Sequence, residues 1–511
     1  MELGDRDAGI DLAELLAAFS LATDLGLGQP MEHVLRSWRI ADRLAERMSL
    51  PEDQRQQLFY VSMLAWVGCV ADAPEVAASF GDDIAFRADS YETDLAGLAG
   101  VGFFLRRAGR GGPAWHRLRV ATTILASGGQ QVVQGMQSHC VTTSTLAERL
   151  GLGQDVVTAL RQFFTRWDGK GVPQGVGGTD IAPTVLLVHL ADVVEVRHRT
   201  GGIDGAIEVA NARRGTQFAP HVVDAFVAHA PEVLSDLAAQ PPMRRPLTEC
   251  QLDTALEALA DFTDLRSVSR AGHSRGVADL AGAAARSMGL PITDVTATRR
   301  AGLLHDIGLH GVPVTILDQP GPLSTTEWER VRLSSYYTER VLARPAALAK
   351  PGAIAATAHE RMDGSGYHRS LSGAAVPMTG RLLAAACAYR AMLEPRAHRD
   401  ALTDKQAVGA VRDAIRAGAL DGDAAEAVLA AAGNGARRRV SGPAGLTPRE
   451  VEVLVLISRG AQTGEVADQL GISRKTAGTH IERIYTKTGA SSRATATLFA
   501  LRNGLLDPLD L

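Results

Sequence analysis

Cysteine is scarce: four in 511 residues, Cys69, Cys140, Cys250 and Cys387, none close enough to another to make a zinc-ligand pair or a disulfide framework. A reducing compartment follows, and the expected location is cytoplasmic. No run of about 20 apolar residues exists, so no membrane-spanning helix is expected. The longest apolar stretch, Leu58 to Val70, reads as a buried core helix. The start, Met1 to Asp7, is acidic and lacks the charged-then-apolar order of a signal peptide. Aromatics make up only 5% of the chain, while Ala, Leu, Val and Gly abound, which predicts helices packed through small side chains. An excess of positive charge is also missing. The net charge is −4, so any nucleic-acid surface must be local rather than a property of the whole molecule.

The patterns present are helical. Leu12, Leu15, Leu16 and Phe19 follow the spacing of one helix face. Pro51 followed by Glu52 and Asp53 is a helix start. Gly109 to Pro113 reads as a loop, Asp168 to Pro173 as a turn, and Gly175 to Thr179 as irregular chain. A proline-rich linker is expected around Gln240 to Leu247, and a second from Gly433 to Gly445 carrying Arg437, Arg438 and Arg439.

Between these linkers the chain repeats itself. His33 and His273, Met48 and Met288, Leu50 and Leu290, Pro51 and Pro291, and Gly68 and Gly308 all stand 240 apart. Further on the offset is 195, matching Asp168-Gly169 to Asp363-Gly364, Gly171 to Gly366 and Ala191 to Ala386. Two constant offsets with one length change between them indicate an internal duplication of one helical domain.

The chemistry gathers in the second copy, at Leu304-His305-Asp306-Ile307-Gly308. An imidazole beside a carboxylate can ligate one divalent cation, and the carboxylate can bridge to another. With Gly272-His273-Ser274-Arg275, Gly311-Val312-Pro313, Gly321-Pro322-Leu323, Glu327-Trp328-Glu329 and His359-Glu360-Arg361-Met362-Asp363-Gly364-Ser365-Gly366-Tyr367, the segment from Val268 to Ala432 resembles the HD-GYP branch of the metal-dependent HD phosphohydrolases. The resemblance implies an all-helical fold and hydrolysis of cyclic di-GMP at a two- or three-metal centre, where a metal-bound hydroxide attacks phosphorus.

Several family positions are altered here. The lysine after the His-Asp pair is Leu309, the histidine after Glu-Trp-Glu is Ser334, and the first of two adjacent histidines is Ala358. The downstream aspartate is Cys387 and the proline after Gly366-Tyr367 is His368. His273, His305, Asp306 and His359 remain as candidate metal ligands, with His305 and Asp306 the relic catalytic candidates. They read either as the holders of one cation or as a buried hydrogen-bonded cluster. A Cys387 thiolate would favour a softer metal. In the first copy Ala65-Trp66 replaces the His-Asp pair and Phe163-Phe164 replaces Ala358-His359, while His33 and Asp192 persist. Trp66 and Phe164 read either as core or as the lining of a cavity for a small planar ligand.

The carboxy-terminal stretch opens with Leu446-Thr447-Pro448-Arg449-Glu450, a capped helix start with proline at its first position. Short helices around a Gly471-Ile472 turn make a helix-turn-helix. The helix Ser473 to Lys487 has four Lys/Arg against one acid, Glu482. With Ala467-Asp468-Gln469-Leu470-Gly471-Ile472-Ser473, Lys475-Thr476, Thr479-His480-Ile481, Ile484-Tyr485-Thr486-Lys487-Thr488-Gly489 and Ser491-Ser492-Arg493-Ala494, the unit resembles the DNA-binding domain of the LuxR family. That implies four helices and dimeric binding to partly symmetric sites. Arg474, Lys475, Thr476, Thr479, His480, Arg483 and Lys487 are the expected DNA-facing residues, with Arg483 and Lys487 reaching phosphate.

The expectation is therefore an all-α chain: an HD-GYP-like domain at 1–239 without its ligands, a second at 249–434 with a partial set, a linker at 435–445, and a LuxR-type domain at 446–511. It describes a bacterial transcription regulator, leaning away from enzymatic activity, whose body senses, binds a small molecule or cyclic dinucleotide, or dimerises. The alternative is a metal-dependent cyclic di-GMP phosphodiesterase with an attached DNA-binding domain. Double-stranded DNA and a second copy of the chain are the expected partners. No cofactor, or a single divalent transition metal, is expected.

Overall fold

The computed structural model describes residues 7–238, 240–243, 245–434, 444, 446–490, 492–503 and 505. It is helical almost throughout, and the chain divides into two compact units, Met1–Gly433 and Asn434–Leu511. The expected linker 435–445, with its three arginines, lies outside the described residues apart from Ala444.

In the first unit the two repeated segments share one core rather than forming separate bodies. The stretch expected as a linker after Gln240 is partly ordered: Pro246–Thr248 pairs antiparallel with Asp7–Asp11. A buried ion pair also ties the segments together. Arg266, 1% exposed, reaches the Asp83 carboxylate at 3.0 Å and the Val312 carbonyl at 2.7 Å, and Asp83 accepts from the Val314 N–H at 2.9 Å. The apolar stretch from Leu58 is buried as expected, but its helix, Glu52–Leu64, stops before Trp66 and a 3₁₀ turn, Val67–Val70, follows. No single helix among the described residues is long and apolar enough to cross a membrane.

The same local devices occur in both segments. His33–Arg47 and His273–Ser287 are 15-residue helices, each entered through a left-handed residue, Glu32 or Gly272. Glycine takes that conformation without the Cβ penalty that Glu32 bears. A buried carboxylate from the preceding helix holds each start: Asp24 accepts from Val34 N–H at 3.0 Å, and Asp264 from Ser274 N–H at 2.9 Å. A Cβ on Gly68 would strike the His139 carbonyl, and one on Gly308 the Ser334 carbonyl. That single contact joins positions 240 apart to positions 195 apart. The length change therefore falls between Gly68 and His139, where the first segment carries extra helices around a small cluster of Phe80, Ala108 and Ile124.

Among the described residues the second unit has four helices, Pro448–Ser458, Thr463–Leu470, Arg474–Thr488 and Arg493–Arg502. Thr447 and Glu450 form the expected capping box, and Gly471, at φ +61°, makes the left-handed turn between the second and third helices. Leu446, Val453, Leu454, Ile457, Val466, Ala477 and Ile484 fill the core.

Candidate functional site

The helix opening at His273, the turn after Leu304, the chain at His359 and the helix Met378–Met392 converge on the Asp306 carboxylate, which is 2% exposed. His305 Nε2 lies 3.1 Å from it, and His273 Nε2 and His359 Nε2 each 3.6 Å. All four expected ligand residues therefore meet. Their far sides are anchored. His273 Nδ1 donates to Glu394 at 2.8 Å, and His305 Nδ1 donates to the Gly302 carbonyl at 2.8 Å. Each Nε2 is thus a bare lone pair aimed at the centre, the arrangement that prepares imidazole as a ligand. Burial, with neighbouring positive groups, holds His273 and His305 well below the ordinary histidine range, and burial with Arg361 and Arg270 brings His359 down to about 3.

Converging imidazole lone pairs and a carboxylate need a positive charge between them. Arg270, three residues before His273, supplies one by ion-pairing directly with Asp306. The sequence reading missed this residue, since no motif position marks it. Cys387 also belongs to the cluster: its sulfur and the nitrogens of His273 and His305 lie within 4.8 Å of one another. Burial pushes its thiol up.

These donors fit one cation if Arg270 withdraws. They do not fit two. Ser334 donates its hydroxyl to the Val331 carbonyl of its own helix at 2.7 Å, and Ala358 has no donor atom. Leu309, standing for the family lysine, is buried against Val312 and Ile316. His368 is drawn away to Glu339 at 3.0 Å.

The equivalent place in the first segment is built from other parts. His33 donates from Nδ1 to Glu195 at 2.6 Å and from Nε2 to Asp192 at 3.1 Å. Trp66 donates its indole N–H to the same Asp192 oxygen at 3.0 Å, as does Tyr91 through its hydroxyl at 3.3 Å. Burial disfavours a charged His33, but the two carboxylates outweigh it and raise its pKa to about 9. His139, missed in the sequence, keeps an imidazole at the position where the second segment has Ser334. Its Nε2 is spent on the Ala65 carbonyl at 2.7 Å.

In the carboxy-terminal unit, Arg474, Lys475, Thr476, Thr479 and Arg483 are exposed on the third helix and His480 is half-buried. Lys487 is exposed as well, and its ammonium pairs with the buried Glu450 carboxylate at 2.6 Å, tying the third helix to the first.

A family model described as HD domain matches residues 257–423, and one described as bacterial regulatory proteins, luxR family, matches residues 444–500. The 3'3'-cGAMP-specific phosphodiesterase 3 of Vibrio cholerae is 28% identical over 417 residues, covering 79% of this chain and 90% of that protein. A cyclic di-GMP phosphodiesterase of Thermotoga maritima is 36% identical over 147 residues, covering 28% of this chain and 40% of that protein. A crystal structure of a cyclic GMP-AMP specific phosphodiesterase from V. cholerae superposes with a TM-score of 0.57 at 26% identity, covering 83% of this chain and 98% of that one. These relatives carry phosphodiesterase names. They favour the hydrolase alternative over a body without activity, and the altered ligand positions stand against that background.

Proposed function

We propose that this chain, an HD-domain protein ending in a luxR-type DNA-binding domain, is a bacterial transcription regulator whose body recognises a ligand without two-metal hydrolysis. The observation that carries the reading is the Arg270 guanidinium on Asp306, the carboxylate a pair of ions would share. Ser334 and Ala358 add to it by withholding the second ion's imidazoles. A carboxylate that bridges cations cannot also spend its charge on an internal arginine at no cost. The relatives' names make a 3',3'-linked cyclic dinucleotide the first ligand to test. The third helix of the carboxy-terminal unit enters the major groove, and two copies of the chain pair two half-sites.

A second reading, an active phosphodiesterase, is favoured by the likeness to V. cholerae phosphodiesterase 3 over 90% of its length. One experiment separates the two. The full chain is incubated with Mn²⁺ or Fe²⁺ and either cyclic di-GMP or 3'3'-cGAMP, and the products are resolved by chromatography. The regulator reading expects intact dinucleotide together with a ligand-dependent change in DNA affinity. Linear dinucleotide, lost on Asp306→Asn, overturns it.

The DNA arm has its own readout. Arg483→Ala should lower the slope of log affinity against log salt by about one, across all DNA sequences. Lys487→Ala should lower the unfolding temperature of the carboxy-terminal unit, because Glu450 keeps the Thr447 N–H but loses its counter-charge. An unchanged melting temperature would leave Lys487 with the phosphate-contact role alone.

A further inference from the structure

Between Gly68 and His139, the extra helices of the first segment leave apolar surface uncovered. The helix Ala114–Ala126 buries one side chain, Ile124, which packs with Val120 and Ala121 into the cluster of Phe80 and Ala108. Its opposite face is apolar too. Trp115, Leu118 and Leu125 are 65%, 66% and 59% exposed, and their helical spacing sets them on one face. In the helix before it, Gly97–Arg107, Leu98 and Val101 are exposed as well. Burial is favourable in proportion to the apolar area taken from water, so a face of this kind marks a docking surface.

The charge around it selects the partner. From Leu95 to Ala147 the chain has five arginines and no aspartate or glutamate. All 57 acidic side chains lie elsewhere, together with 48 of the 53 basic ones. Arg107 pairs with Asp89, and Arg110 lies 3.6 Å from the same carboxylate oxygen. Arg117 and Arg119 are exposed and have no carboxylate partner among the described residues. At helical spacing they fall on either side of the apolar face. Arg119 lies over the Trp115 ring, 5.6 Å from its centroid.

A second copy of the chain could cover the apolar side chains, but a two-fold interface would set these arginines against themselves. Duplex DNA matches the charge and offers little to the tryptophan and leucines. An anionic bilayer surface matches both. Leucines enter the boundary between headgroups and acyl chains, an indole sits at headgroup level, and arginines meet the lipid phosphates.

We propose that the helix Ala114–Ala126 docks the body on the surface of an anionic lipid bilayer, with Trp115, Leu118 and Leu125 inserted and Arg117 and Arg119 on the headgroups. The chain lies on the membrane there and does not span it.

The test sediments the full chain with vesicles of phosphatidylglycerol and phosphatidylcholine in equal parts, and with vesicles of phosphatidylcholine alone. The chain should pellet with the first and not with the second, and added salt should release it. Trp115→Ser with Leu118→Ser should weaken binding at least about tenfold. Both side chains are exposed, so the circular dichroism spectrum and melting temperature should be retained. Arg117→Glu with Arg119→Glu should weaken binding with the apolar face intact. No pelleting, equal pelleting with phosphatidylcholine alone, or pelleting that survives Trp115→Ser with Leu118→Ser overturns the proposal. If wild-type chain ignores the vesicles while that double change lowers self-association or DNA affinity, the face belongs to a second copy or to DNA, and the proposal falls.

Discussion

His33 and His273 open equivalent helices and give the same nitrogen to a buried glutamate, yet one ring is charged and the other neutral. Glu195 and Glu394 are each braced by two arginines: Arg36 and Arg199 for the first, Arg390 and Arg396 for the second. What differs is the other face of the ring. His33 meets the Asp192 carboxylate and stays protonated, with a pKa of about 9. His273 meets a centre already supplied with charge by Arg270, and burial and that arginine keep it neutral. Each segment has thus provided its own counter-charge, an imidazolium in one and a guanidinium in the other. The lesson is that the anchoring of the histidine and its electrical role are separable: the glutamate fixes orientation in both, and the group across the site decides protonation.

The sharpest way to break this comparison is to remove the two glutamates in turn. Glu195→Ala removes one of the two carboxylates facing the protonated His33 and the shared partner of Arg36 and Arg199, and should cost about 3–5 kcal/mol of stability. Glu394→Ala leaves a neutral imidazole N–H without its acceptor beside two arginines exposed to a similar degree, and should cost about 1–3 kcal/mol. Urea unfolding followed by circular dichroism measures both. Equal losses would mean that His33 and His273 share one charge state.

How much of this was readable in advance follows from the range of the interactions. The carboxy-terminal unit was nearly all legible, because its capping box, turn glycine and helix spacing are local signals within a few residues. The convergence of His273, His305, Asp306 and His359 was legible only through the resemblance to the HD-GYP family. Arg270 was not, since nothing in a turn three residues before a histidine says where a flexible guanidinium will go. Glu394 lies 121 residues from His273, and Glu450 lies 37 from Lys487, so those partners are fixed by packing rather than by sequence proximity. Pro246–Thr248 looked like a linker because a three-residue strand is too short to show alternation.

A smaller effect should come from opening the second centre. Arg270→Ala frees the Asp306 carboxylate and leaves the His273, His305 and Cys387 donors facing a gap. Co²⁺ should then bind with a thiolate-to-metal absorption band and raise the melting temperature. At a metal concentration one hundred times the Kd, the gain would be about 2.7 kcal/mol. The first segment, with its own charge locked in by His33, should take up no metal. A Cys387→Ser change on the Arg270→Ala background should remove the band. A wild-type chain that binds Co²⁺ as tightly as Arg270→Ala would show that the arginine does not hold the site.

The smallest effect, and the most direct reading of the contrast, is in the pH dependence. An unfolded histidine titrates near ~6.5. His33, raised to about 9, binds a proton in the native state that the unfolded chain has released between these values. Its contribution is complete below about 6.5 and is lost as pH rises through about 9. His273, held well below its ordinary value, does the reverse. Its contribution is complete above about 6.5 and is lost as pH falls toward the lowered value. Each pH unit inside either window is worth at most about 1.4 kcal/mol. Amide hydrogen exchange, corrected for its intrinsic pH dependence, should therefore show His33–Arg47 losing protection on the alkaline side and His273–Ser287 on the acid side. Asp192→Asn removes one of the two groups that raise His33 and should flatten the alkaline loss without touching the acid one. Loss of protection on the same side for both helices would mean that the group across the site does not set the histidine's charge.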